Sequence, residues 1–88
     1  MLTQQGAAKM QITYTDLGTT YTFGANTVTF EGEYKYGDVY FNEDWVGEYV
    51  RDDAGVCYLE SDAVDNMRIG VSEDDYAQFA QRLCSMFA

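Results

Sequence analysis

A chain of 88 residues, 47% hydrophobic and 16% aromatic, has the composition of one folded domain and not of a disordered segment. Fifteen Asp and Glu against five Lys and Arg give a formal net charge of −10. That balance excludes a basic nucleic-acid-binding surface and attachment to an anionic membrane. The absence of His excludes Ser-His-Asp and Cys-His catalysis and His metal sites.

Residues 1–9 read as a disordered leader or tag remnant, ahead of a single α+β domain over 10–88. They lack the apolar core of a signal peptide, and no apolar run approaches the ~20 residues of a membrane span. The chain is therefore expected in the cytoplasm.

Met10 to Thr15 alternates as a first strand, with Met10, Ile12 and Tyr14 on one face. Asp16-Leu17-Gly18 is a turn. Thr20 to Phe23 is a second strand, with Tyr21 and Phe23 inward. Gly24-Ala25-Asn26 turns the chain into a third and longest strand, Thr27 to Tyr36. Val28 and Phe30 face the core there, Tyr34 and Tyr36 stay in phase with them, and Gly32 marks a bulge or close approach. Glu31 and Glu33, two residues apart, are expected on one outward face. Gly37-Asp38 reads as the next turn, Val39 to Phe41 as a fourth strand, and Asn42-Glu43-Asp44 as a loop.

Trp45 to Val50 looks extended, with Val46 and Val50 on one face and Trp45 and Tyr49 on the other. Residues 51–55 form a hairpin turn, and Val56 to Glu60 returns from it. Ser61 is placed to cap a helical turn, and Met67 to Val71 fits a short edge strand. Ser72-Glu-Asp-Asp is a capping box with three acids in the first turn of a helix. Tyr76, Phe79, Ala80, Leu83 and Phe87 recur along that helix at one face. The predicted fold is thus an antiparallel β-meander of about five to six strands packed by one C-terminal amphipathic helix.

Cys57 and Cys84 are expected as reduced core thiols and make no closed zinc site by themselves. No phosphate-cradling glycine motif is present. Paired carboxylates suit acid–base chemistry, but such pairs are unavoidable with fifteen acids in 88 residues. Asp52-Asp53, Asp62 with Asp65, and Glu73-Asp74-Asp75 do not follow the spacing of a calcium loop. No catalytic residue, metal ligand or cofactor is assigned, and enzyme activity is not expected.

Recognition by charge is left. Fourteen of the fifteen acids fall between Glu31 and Asp75, where only Lys35, Arg51 and Arg68 offset them. Residues i and i+2 on a strand face lie about 6.6–6.8 Å apart, the scale of successive phosphates on a nucleic-acid strand. Glu31, Glu33, Glu43, Asp44, Glu48, Asp52 and Asp53 are the candidate phosphate stand-ins. Tyr40, Trp45 and Tyr49 are the aromatic anchors beside them if exposed. A merely solvated acidic surface, or adaptation to a salty host, is the competing explanation.

In its small size, its crowded Asp and Glu, its Tyr-rich strands and its single amphipathic helix, the chain resembles small acidic phage-encoded anti-CRISPR proteins. The resemblance carries no shared motif. It implies a partner with a basic surface, a Cas effector subunit in a bacterial host cell. Block of target-DNA binding by DNA mimicry would follow, with no direct nucleic-acid contact and no membrane. An immunity or antitoxin protein that plugs a nuclease toxin, and a phage structural or assembly protein, are the alternatives. Either a monomer or a dimer fits.

Overall fold

The computed structural model describes residues 10–87. It is a single antiparallel sheet of seven strands whose spatial order equals their chain order. The strands are β1 (Met10–Tyr14), β2 (Gly18–Phe23), β3 (Asn26–Gly32), β4 (Tyr36–Phe41), β5 (Asp44–Arg51), β6 (Cys57–Glu60) and β7 (Met67–Gly70), followed by helix α1 (Glu73–Phe87). The α+β meander with a C-terminal helix is as the patterning predicts, with seven strands in place of five to six. The sheet curls, so that α1 contacts β2 and β3 from one side and the edge strand β7 from the other. The readings placed on residues 1–9 lie outside the described residues.

Alternation builds the core. Tyr21, Val28, Phe30, Val39 and Leu59 point into the curl and are buried. Phe79, Ala80 and Leu83 of α1 close it. Burying side chains such as Phe79 and Leu83 contributes about 1.5–3 kcal/mol each. Phe30 is the hub, with the rings of Tyr21, Tyr49, Tyr76 and Phe79 centred 5.8–6.0 Å from its own.

The start of α1 is fixed as its sequence implies. The Asp75 backbone N–H donates to Ser72 Oγ at 3.2 Å, and Asp75 Oδ2 accepts from the Ser72 N–H at 3.1 Å. The same oxygen accepts from the Val71 N–H at 2.9 Å. These bonds satisfy donors that a helix start would otherwise leave unpaired.

Several local readings are corrected. The third strand does not run to Tyr36. It ends at Gly32, whose φ of 140° turns the chain, and residues 33–35 form the connection. Tyr34 and Tyr36 therefore leave the core phase and are 70% and 63% exposed. Gly37 and Asp38 are not a turn but lie inside β4, opposite Gly32 and Glu31. The β4–β5 turn is Asn42-Glu43, both at positive φ (49° and 74°), the form that two-residue hairpins favour.

In β5 the pairing shifts between Val39 and Tyr40: Val39 faces Gly47, whereas Tyr40 faces Trp45. Val46 is the extra residue of this bulge, and the alternation reverses across it. Trp45 thus lies outside while Tyr49 is buried, and Val46 is buried while Val50 pairs outward with Tyr36. Ser61 caps no helix. Its Oγ accepts from the backbone N–H groups of Ala63 and Val64 and donates to the Val46 carbonyl at 2.6 Å, which pins an irregular turn to β5.

Candidate functional site

The outer face of the sheet is built from the residues that alternate with the core. Register places Glu31 of β3 opposite Asp38 of β4, Asp38 opposite Glu48 of β5, and Glu48 opposite Glu60 of β6. Four carboxylates thus form one row across four adjacent strands. Neighbouring strands are about 4.7–4.9 Å apart, so the row spans roughly 14 Å. Like charges directly opposite destabilise a sheet, by about 0.2–0.5 kcal/mol per pair on the scale of helix neighbours.

Among the described residues, no cation forms an ion pair with the row. The one ion pair within 4.0 Å among the described residues is Lys35 with Asp53, at 3.9 Å, between the exposed β3–β4 connection and the β5–β6 turn. Arg68 lies on the same outer face, opposite Tyr58, and pairs with none of the four.

Aromatic side chains border the row on both sides. Tyr40 and Trp45 face each other on one flank, and Tyr36 and Tyr58 lie on either side of Val50 on the other. Trp45 is 57% exposed, yet its Nε1–H donates to Asp38 Oδ1 at 3.0 Å. That bond holds a large ring in one orientation at the surface, as a preorganised anchor requires. A hollow of about 290 Å³ beside the row is lined by Thr29, Glu31, Tyr40 and Glu43. Further along, Thr20 and Thr29 share a hydroxyl hydrogen bond of 3.0 Å and carry no charge. The negative potential is therefore concentrated on the half of the face made by β3 to β6.

Five of the sequence-derived candidates come together here: Glu31, Tyr40, Glu43, Trp45 and Glu48. Asp44 starts β5 opposite core Phe41 and so lies on the other side of the sheet, at its exposed end. The others are elsewhere. Glu33 follows the turn at Gly32 and is not on the face of Glu31; its carbonyl oxygen accepts from the Tyr49 hydroxyl on the inner side. Tyr49 is buried, which removes it as an anchor. Asp52 Oδ1 accepts from the N–H groups of Ala54 and Val56, both at 2.9 Å, so its carboxylate holds the hairpin turn. Asp53, on the same β5–β6 turn, pairs with Lys35 of the β3–β4 connection.

Asp38 and Glu60 complete the row and were not among the candidates. Asp38 reads as a turn residue after Gly37, and Glu60 as the end of the return strand from the 51–55 hairpin. Only the register connects them to Glu31 and Glu48.

Among the described residues, no group of three or more Cys, Asp and Glu side chains converges in a way that would hold a metal ion. Both thiols are free, Cys57 buried and Cys84 half-buried. No helix among the described residues is long and apolar enough to cross a membrane. Comparison with protein-family models, curated proteins and solved structures finds no match.

Proposed function

We propose that the outer face of β3 to β6 is a recognition surface for a basic protein groove, and that the chain acts as a stoichiometric inhibitor there. Lys and Arg side chains that line such a groove for phosphates would meet Glu31, Asp38, Glu48 and Glu60 instead. Tyr40, Trp45, Tyr36 and Tyr58 would pack against their aliphatic stems and cationic heads. The resemblance to anti-CRISPR proteins makes the DNA channel of a Cas effector, in a bacterial cytoplasm, the first partner to test. Competition with target DNA is the mechanism, aided by fast electrostatic steering.

One observation carries the reading: a row of four facing carboxylates with which no cation among the described residues forms an ion pair. Its three facing pairs together cost roughly 0.6–1.5 kcal/mol. A domain of this size has about 5 kcal/mol in total. Local rules broken at such a cost, with only the Trp45 N–H bond to Asp38 as internal compensation, are characteristic of sites kept for binding.

The test separates binding from solvation. Glu48→Gln is expected to raise stability by about 0.4–1 kcal/mol, since it removes two like-charge contacts. Reversing Glu31 and Glu48 to Lys is expected to weaken inhibition of target-DNA binding by tenfold or more, with the circular dichroism spectrum retained. Asp16→Lys and Asp62→Lys, outside the row, serve as charge-matched controls. Inhibition that survives the double reversal, or that falls equally in the controls, would remove the row from the mechanism.

A further inference from the structure

Of the four cations among the described residues, Arg51 alone sits on the core-facing side of the sheet, opposite buried Cys57. Its guanidinium is fixed from several directions. Nε–H donates to the Tyr34 carbonyl at 2.9 Å, and an Nη1–H donates to the Tyr76 hydroxyl. The guanidinium carbon lies 4.2 Å from the centre of the Tyr34 ring and 5.3 Å from that of Tyr76. A guanidinium has five N–H donors, so three remain. No carboxylate among the described residues lies within 4.0 Å of it, in a chain with fifteen acids.

The same group lines a cavity of about 190 Å³ between the sheet and α1. Phe30, Tyr49, Tyr76 and Cys57 supply much of its apolar wall. Gly32 and Glu33, at the end of β3, line its rim. An apolar cavity of roughly 150 Å³ holds benzene. This one has room for a single ring or short branched chain plus one small polar group.

We infer that this cavity binds a small apolar monocarboxylate of the benzoate or phenylacetate class, with its carboxylate on the free edge of Arg51 and its body among the aromatic rings. A planar carboxylate matches the guanidinium fork with two parallel hydrogen bonds. A cationic ligand would meet Arg51 itself, which already occupies the faces of Tyr34 and Tyr76. A doubly charged, strongly hydrated phosphate suits these walls poorly. The inference is independent of the acidic outer face, which lies on the other side of the sheet.

The experiment titrates the full chain with benzoate, benzyl alcohol and inorganic phosphate, followed by amide and Arg Nε–H chemical shifts. Benzoate is expected to bind saturably, with Kd of about 1 mM or tighter, and to shift Arg51, Tyr34 and Tyr76. Benzyl alcohol, which keeps the ring and lacks the charge, should bind about tenfold more weakly or worse, and phosphate should not compete. Arg51→Lys should weaken benzoate at least tenfold while leaving benzyl alcohol unchanged. Because the ligand comparison is made on the unaltered protein, a variant that fails to fold does not decide the question. Equal binding of benzoate and benzyl alcohol, competition by phosphate, or the absence of saturable shifts up to about 10 mM would overturn the assignment.

Discussion

At Gly37 a single missing side chain decides how β4 and β5 pack. A Cβ there would lie 2.3 Å from the Glu31 carbonyl oxygen and 2.4 Å from a ring carbon of Tyr49. The Tyr49 ring crosses the bare backbone, and its hydroxyl then reaches the Glu33 carbonyl. We expect Gly37→Ala to cost about 1–3 kcal/mol through overpacking, measured as a lower denaturant midpoint at unchanged m. A loss under about 0.5 kcal/mol would mean that the ring moves aside freely. Nothing local announces this role. Gly followed by Asp reads as a turn, and the demand for space comes from a residue twelve positions away on another strand. Gly32 misleads in the same manner: apolar alternation continues through it to Tyr34 and Tyr36, while its φ of 140° ends the strand.

Helix α1 was the most legible element because its signals are short-range. Ser72 and Asp75 specify its start, and the spacing of Tyr76, Phe79, Ala80 and Leu83 specifies its buried side. Strand faces depend on bulges and turn geometry, which is why β5 was read with Trp45 and Tyr49 together. Ser72→Ala should cost about 1 kcal/mol, seen in thermal or denaturant unfolding. The Val71 and Ser72 N–H groups hold the Asp75 carboxyl below its ordinary value of 3.8. A carboxyl depressed in the folded state stabilises above its unfolded value, and that contribution is lost as pH falls through the folded one. Asp75→Asn should therefore flatten the acid side of the pH–stability curve. Identical acid limbs for the two proteins would show that these hydrogen bonds contribute nothing.

For the molecule as a whole, the sheet-plus-helix class and the acidic character were readable from pattern and composition. The row Glu31–Asp38–Glu48–Glu60 was only half readable, because its members meet through three successive strand pairings. Burial also sets an alkaline limit. It raises Tyr21 from 10.0 to about 12, and it pushes up Tyr49, Tyr76 and Cys57 in the same core. Groups whose folded values are raised lend full stability below their unfolded values and lose it as pH climbs through the folded ones. Unfolding is therefore expected to set in between pH 10.0 and about 12, with tyrosinate absorbance and loss of ellipticity rising together. Tyrosine ionisation completed well before any loss of structure would contradict that coupling.

Because every strand pairs with its immediate successor, hairpins can form one after another as the polypeptide leaves the ribosome. The greasy concave side nonetheless stays uncovered until Glu73–Phe87 has been synthesised. Premature termination before that point would release a sticky, half-finished sheet, and such fragments should be found with chaperones or in inclusion bodies.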